Sequence, residues 1–293
     1  MSAAAQGDLP QRRRRTGVIA LAVPNLEEPY FAELTALLCR RANDRGLAIL
    51  IQQTEGDHER EVDIANGVGL PETDGLIHIP RALTVADLTR RTSPGPLVLL
   101  GEHIQISPFT HITIDNRRAA ADATAHLAEV GRRRVAFIGP RDSRPSDAAD
   151  QRYAGYREAV AAHDLATDAD LTVSVDAFTA AEGARGVAQL LALGVTFDGV
   201  FCSNDSIAFG VISALQGAGL RVPEDVAVIG IDGVRATEFA SPPLSTVAPD
   251  KDAIASAALD ELDRQMRTPP GRDMPVQHVT VKASVIARAS TKR

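Results

Sequence analysis

Several residues suited to binding chemistry stand just beyond short aliphatic runs. Arg152 opens a helical stretch after the loop 143–150, and its guanidinium offers a planar fork of donors for paired hydroxyls, carboxylates or phosphates. It reads either as a ligand contact or as a surface arginine paired with Asp150 or Asp147. Asp232 closes the apolar run 226–231, where its carboxylate can accept two hydrogen bonds from a diol or a base edge. Asn204 and Asp205 come after the run 199–202 and precede a helical pattern. Asp205 suits an N-cap as well as a ligand contact, whereas the Asn204 amide both donates and accepts and is the better site candidate. Aromatic residues make up only 4% of the chain, so Phe178, just past an extended stretch, stands out. Tyr30 and Phe31 begin the first helix, and Phe31 also fits a buried stripe with Leu34, Leu38 and Ala42.

Other chemistries lack their residues. No GxGxxG follows a strand, and GxxxxGK[ST], GxSxG and HExxH are absent; Gly67-Val68-Gly69 sits in the wrong context. The seven histidines show no ligand spacing, so no catalytic residue, metal or cofactor is expected. Cys39 and Cys202 lie far apart in apolar stretches and read as two buried thiols in a reducing compartment. A net charge of −7 does not advertise nucleic-acid binding by the surface as a whole. Arg12 to Arg15 and the apolar run 17–23 have the outline of an export signal. Pro24 and Asn25 cut that run short, and no small-residue cleavage site comes after it. No stretch approaches the ~20 apolar residues of a membrane span. A cytoplasmic location is expected.

These residues need a scaffold, and the chain alternates aliphatic strands with amphipathic helices, as α/β units with parallel sheets do. Strands are expected at 18–23, 48–51, 75–79, 97–100 and 112–114, with a first helix over 29–45. The rhythm then restarts. Helices at 117–130, 152–163, 180–193 and 205–218 alternate with strands at 134–138, 171–175, 199–202 and 226–231. A helix at 254–266 and extended segments at 276–281 and 285–287 finish the chain. With 293 residues there is room for two lobes, and ligands of open α/β sheets bind beyond the carboxyl ends of the strands.

A series of motifs follows along the chain, beginning with Pro24-Asn-Leu-Glu-Glu-Pro-Tyr-Phe-Ala-Glu-Leu34, Thr113-Ile-Asp-Asn116 and the stretch 126–139. Next come Arg152-Tyr-Ala-Gly-Tyr156, Asn204-Asp-Ser-Ile-Ala-Phe-Gly210 and Val222-Pro-Glu-Asp-Val-Ala-Val-Ile-Gly-Ile-Asp232. Pro242-Pro-Leu-Ser-Thr246 and Arg288-Ala-Ser-Thr291 close the series. In this order the motifs resemble the effector-sensing half of LacI/GalR-type transcriptional regulators, and the resemblance runs from about residue 16 to the end. It implies an α/β fold of two Rossmann-like lobes with parallel sheets joined by three crossover segments, the type I periplasmic binding protein architecture. The crossings are expected near Asp115-Asn116, near 243–247 and near 271–276. That gives an N-terminal lobe of 16–115 plus 248–275, a C-terminal lobe of 116–247 plus 276–293, and a disordered tail over 1–15.

The same resemblance implies that Arg152 and Asp232 bind ligand and that Tyr30, Phe31 and Phe178 sandwich rings. It places Asp115 at a crossing, with Gly101-Glu102 and Arg144 completing the rim. The sequence departs from the family pattern in three places. Gly233 stands where a second acidic or amide residue is usual, Gly101-Glu102 where many relatives have Asp-Arg, and a proline at or near 249 where a glutamine is usual. The implied function is sensing of a small polar metabolite, a sugar or sugar derivative, by a homodimer that controls DNA binding. Operator DNA would be met only through a helix-turn-helix, which needs two helices and a turn and does not fit in the fifteen residues before Thr16. The alternative is a stand-alone solute-binding protein of the same fold without a DNA-binding role.

Overall fold

A computed structural model of the chain describes residues 15–104, 107–140, 148–269 and 274–292. Residues 1–14 of the expected tail, Arg144 and positions 271–273 lie outside the described residues. Among the described residues, twelve strands fall into two six-stranded sheets.

The first sheet grows from β1 (Val18–Val23), α1 (Pro29–Asn43), β2 (Ala48–Gln53), α2 (His58–Ala65) and β3 (Leu76–His78). The short α3 (Val85–Thr89), β4 (Leu97–Leu100) and β5 (Thr110–Ile114) come next. β1 runs between β2 and β3, and residues 19–23 are fully buried. Its side chains alternate between faces, as a strand covered on both sides requires. Ile19, Leu21 and Val23 meet Leu34 and Leu38 of α1, while the smaller Ala20 and Ala22 meet Ile64 of α2 and Leu88 of α3.

The second sheet grows from α4 (Asn116–Glu129), β6 (Val135–Pro140), α5 (Ala148–Ala162), β7 (Thr172–Val175), α6 (Ala180–Ala192) and β8 (Gly199–Cys202). It is completed by α7 (Asp205–Gly217), β9 (Ala227–Ile231) and β10 (Ser245–Pro249). Phe137 of β6 packs on Tyr156 of α5 and Phe201 of β8, while Ile138 turns to the opposite face with Val187 of α6 and Val211 of α7. The chain ends with α8 (Lys251–Arg267), β11 (His278–Val281) and β12 (Ala283–Ile286).

Strand orders are β11-β5-β4-β3-β1-β2 and β12-β10-β9-β8-β6-β7. All pairings are parallel except β10 with β12. Each sheet therefore reverses its winding beside its first strand, between β1 and β3 and between β6 and β8. Such switch points open a crevice beyond the strand ends.

The chain passes between sheets three times. The first passage is at Asp115, between β5 and α4. The second is at Asp250, because Ser245–Pro249 still pairs in the second sheet, a few residues later than 243–247. The third is at Lys282 rather than near 271–276. His278–Val281 pairs in parallel with Thr110–Ile114, and only Ala283 onward pairs with β10. Residues 276–281 thus belong with the first sheet, where an extended segment continues the exposed edge of β5.

Two short helices, α2 and α3, fall between the strands expected from sequence, where no element is assigned. α2 carries Glu61, a fully buried carboxylate. It accepts hydrogen bonds from the backbone N–H groups of Arg81 (2.9 Å), Ala82 (2.8 Å) and Leu83 (2.9 Å), fixing the loop beyond β3. A glutamine there would turn an amide donor toward buried donors. Glu61→Gln is expected to lose about 3 kcal/mol of stability in urea unfolding, since hydrogen bonds to a charged acceptor and unmet buried donors both count. A loss below ~0.5 kcal/mol, typical of an ordinary surface change, would contradict that role.

Cys202 is buried, whereas Cys39 is only partly so; both are unpaired. Among the described residues no helix is long and apolar enough to cross a membrane, and no His/Cys/Asp/Glu group is arranged for a metal.

Candidate ligand-binding site

A cavity of about 300 Å³ lies between the carboxyl ends of the two sheets. Its first wall is built from the loops after β1, β3 and β4. Glu28 is the N-cap of α1 by backbone conformation, but its side chain makes no capping bond. The carboxylate turns instead to Arg81, with Oε2 accepting from Nη2 at 3.3 Å. Burial pushes the Glu28 carboxyl up, against the pull of the Arg81 and Arg152 guanidinium groups. Pro29 at the first turn needs no N–H partner and sets the helix entry. Tyr30 and Phe31 then stand edge to face, with ring centroids 5.4 Å apart. Phe31 lines the cavity and is also part of the core. Burial raises the Tyr30 hydroxyl well above its ordinary range, helped by the Glu102 and Asp232 carboxylates and opposed by Arg152. Glu102 accepts from Thr113 Oγ1 at 3.0 Å.

The second wall is built from the loops and helix starts after β6 to β9. Arg152 is buried: Nε donates to Asn116 Oδ1 and Nη1 to the Ser203 carbonyl, both at 2.6 Å, while Nη2 lies 3.7 Å from Asp232 Oδ1. It is therefore not a surface arginine, and its carboxylate neighbour is Asp232 rather than Asp150; Asp147 lies outside the described residues. The fork is fixed in place, and its third edge faces Asp232 across the cavity wall.

Asp232 occupies φ +124°, a conformation that side chains rarely adopt. The next residue, Gly233, has φ +60°, and a Cβ there would fall 2.4 Å from Ala248 Cβ. Glycine at 233 thus lets Ala248 of β10 come close to this turn. Burial raises the Asp232 carboxyl to about 6. Arg152, Lys251 and Arg81 resist that rise, and Glu28 adds to it. Behind it the Asp205 carboxyl is also pushed up, first by burial and then by Asp232.

Asp205 does not line the cavity. Its oxygens accept from Thr246 Oγ1 (2.7 Å) and the Val234 N–H (3.0 Å), holding the turn that carries Asp232. Asn204 is the N-cap of α7, accepting from the Ile207 N–H at 2.8 Å, and it also lines the cavity. Its amide nitrogen donates to the Phe178 carbonyl at 3.4 Å. Asn204 thus takes over the capping duty that suited Asp205 and keeps its expected place at the cleft, while Asp205 braces the turn behind it.

Of the residues singled out in sequence, the structure brings Arg152, Asp232, Asn204, Phe178, Tyr30 and Phe31 to one cavity. Asp115 is not among them. It is exposed and caps α4, accepting from the Arg118 N–H at 2.8 Å. Gly101, Glu102 and Pro249 do line it. Sequence reasoning missed Glu28 and Arg81, which follow β1 and β3. The Arg81 guanidinium carbon lies 5.3 Å from the Phe31 ring centre and 5.7 Å from that of Phe178, bridging the walls.

The lobes also touch beside Asp232. Glu33 of α1 accepts from the Arg235 N–H at 2.7 Å and from Lys251 Nζ at 2.7 Å, and Lys251 donates to the Gly233 carbonyl at 2.9 Å. A ligand contact at Asp232 is therefore one residue from a contact between lobes.

The raised Asp232 carboxyl makes stability depend on pH. The folded chain keeps this proton up to about pH 6, while an unfolded aspartate loses it near ~4. Stability from this group is therefore lost as pH rises from ~4 to ~6 and stays lost above. Asp232→Asn is expected to unfold at higher temperature than wild type at pH 7, with a flatter pH dependence over that interval, and to bind ligand about ten-fold or more weaker. A variant less stable than wild type at pH 7 would contradict the assignment.

Comparison with known proteins supplies the family. Residues 124–291 match the family of periplasmic binding protein-like domains. The HTH-type transcriptional repressor CytR of Escherichia coli is 28% identical over 98% of this chain and 84% of its own. The ribose operon repressor of Escherichia coli is 30% identical over 87% of this chain and 77% of its own. Among solved structures, a LacI-family transcriptional regulator from Sanguibacter keddieii superposes with a TM-score of 0.86 at 38% identity, covering 95% of this chain and 99% of that one. With its two parallel-sheet lobes, its interlobe cleft and relatives matched along nearly its whole length, this chain belongs to the LacI-type family of transcriptional regulators, as an effector-binding domain of periplasmic-binding-protein-like fold.

Proposed function

We propose that the cleft binds a small polar metabolite, a sugar or sugar derivative, and that this binding sets the DNA affinity of a dimeric cytoplasmic regulator. The observation that carries the reading is the convergence of Arg152, Asp232 and Asn204 from one lobe on Tyr30, Phe31 and Glu28 from the other, around one cavity. Its volume of about 300 Å³ is at the lower end of the ~300–1,000 Å³ of small-molecule sites, which favours a compact ligand. Carboxylate and amide acceptors suit ligand hydroxyls, and the aromatic faces suit the apolar side of a ring. One relative regulates a ribose operon, in keeping with a sugar-like effector.

A ligand touching both walls binds the closed arrangement better than the open one and shifts the balance by that difference. Moving the population from 1:99 to 99:1 takes about 5.5 kcal/mol of such preference. The Glu33, Lys251 and Arg235 contacts lie on the path from Asp232 to the lobe boundary and are suited to sense it. The test is a thermal-shift panel of pentoses, hexoses, amino sugars, sugar phosphates and nucleosides. An effector at 100 times its Kd adds about 2.7 kcal/mol of stability. At least one member is expected to raise Tm in wild type and not in Phe178→Ala; a panel with no such member overturns the reading.

A further inference from the structure

The Arg81 guanidinium sits between two aromatic rings, one from each lobe, beside a carboxylate. Phe31 and Phe178 flank it at 5.3 and 5.7 Å, within the ~6 Å at which a ring face attracts a cation. Glu28 Oε2 lies 3.3 Å from Nη2. The backbone of Arg81 is fixed by Glu61, but its side chain is 37% exposed and can swing out without disturbing that anchor.

The charges around the slot point the same way. Among the described residues lining the cavity, Glu28, Glu102 and Asp232 stand against two arginines, Arg81 and Arg152, while Asp176 is exposed and paired with Arg185. Arg152 is already engaged by Asn116, Ser203 and Asp232, and Arg81 by Glu28 and the two rings. A phosphate or carboxylate entering here would meet like charges and compete for committed donors. A cation would find carboxylates and ring faces. When Arg81 swings out, the excess of acidic groups grows by one.

We infer that Phe31, Phe178 and Glu28 form a cation subsite, filled here by the chain's own Arg81, and that the effector carries a protonated amine or guanidinium which displaces it. The inference rests on the cleft being the effector site proposed above. An amine-bearing polyhydroxy compound combines both sets of contacts, its hydroxyls donating to Asp232 and Glu102 and its charge seated between the rings.

The first test does not depend on knowing the effector. Methylguanidinium chloride at millimolar concentration is added to Arg81→Ala, with sodium chloride and sodium phosphate as controls. The variant is expected to gain about 2 °C or more in Tm from methylguanidinium beyond the chloride control. Wild type should gain none, and Phe178→Leu in the Arg81→Ala background should abolish the gain. Arg81→Gln, which keeps the stem of the side chain, serves in the same way if the alanine variant folds poorly. No gain beyond sodium chloride in either variant, or a larger gain from phosphate, overturns the subsite.

In the intact chain, calorimetry compares glucosamine, glucose and glucose 6-phosphate. Tighter binding of the amine than of its neutral parent supports the inference. Tighter binding of the phosphate overturns it while leaving the cleft as the effector site. Silence from all three sugars, with methylguanidinium still bound by the variant, upholds the subsite and tells against the sugar reading.

Discussion

Arg152→Ala is expected to lose about 3–5 kcal/mol of stability and at least about 100-fold in effector affinity. The guanidinium is the nearest cation to a buried carboxylate, and it satisfies the side chain of Asn116 and the carbonyl of Ser203 at 2.6 Å each. Truncation leaves two buried acceptors unmet and a charge without its partner, which costs more than the pair itself contributes. Lysine keeps the charge but not the fork, so Arg152→Lys should fall between the two. Because Asp232 holds its proton up to about pH 6, the penalty should be smaller at pH 5 than at pH 7. Urea unfolding at both pH values checks this. A penalty below ~0.5 kcal/mol, the scale of a surface arginine, would contradict the buried network.

Gly210→Ala is expected to cost about 3 kcal/mol or more, at the upper end of overpacking changes. A Cβ at 210 would lie 1.8 Å from the carbonyl oxygen of Ala180, and one at 183 would lie 2.1 Å from that of Ile207. The two glycines thus let α6 and α7 touch backbone to backbone. The obstructing atoms are main chain, so the helices must separate rather than repack. Phe178 precedes one helix and Asn204 caps the other, so the same change should also weaken ligand binding. Gly217, at the end of α7, has nothing within 4 Å of its built Cβ and an ordinary φ. Gly217→Ala should therefore be neutral or stabilising by up to ~1 kcal/mol. Equal effects from the two substitutions in thermal unfolding would contradict the close approach of the helices.

Most of the scaffold was legible because buried parallel strands are continuous apolar runs. Val18–Val23 and Ala227–Ile231 could hardly be anything else. α2 was not, because His58-Glu-Arg-Glu61 reads as a solvated charge run. Glu61 is buried by three backbone donors that arrive from residues 81–83, a partnership no local pattern announces. The late third passage escaped for a related reason: alternating His278–Val281 looks the same whichever sheet it joins, and its register with β5 is a tertiary choice.

At the site, the rule that ligand groups lie beyond strand ends located the second wall well. It was applied less evenly to the first wall, where β3 is three residues long, so Arg81 passed as loop. Asp115 stood after a strand too, yet the start of α4 claimed its carboxylate. Which polar residue caps and which faces the ligand depends on the angle at which the chain leaves the sheet. That angle also sets Asn204 against Asp205.

The most direct measurement is isothermal titration of wild type and Asp232→Asn with the compound giving the largest thermal shift. One site per chain is expected, with binding weakened about ten-fold or more in a variant that is more stable than wild type at pH 7. Since the variant gains stability, weaker binding cannot come from poorer folding. Equal affinity in the two proteins would mean that the ligand does not sit between the lobes, and would contradict the interlobe cleft as the effector site.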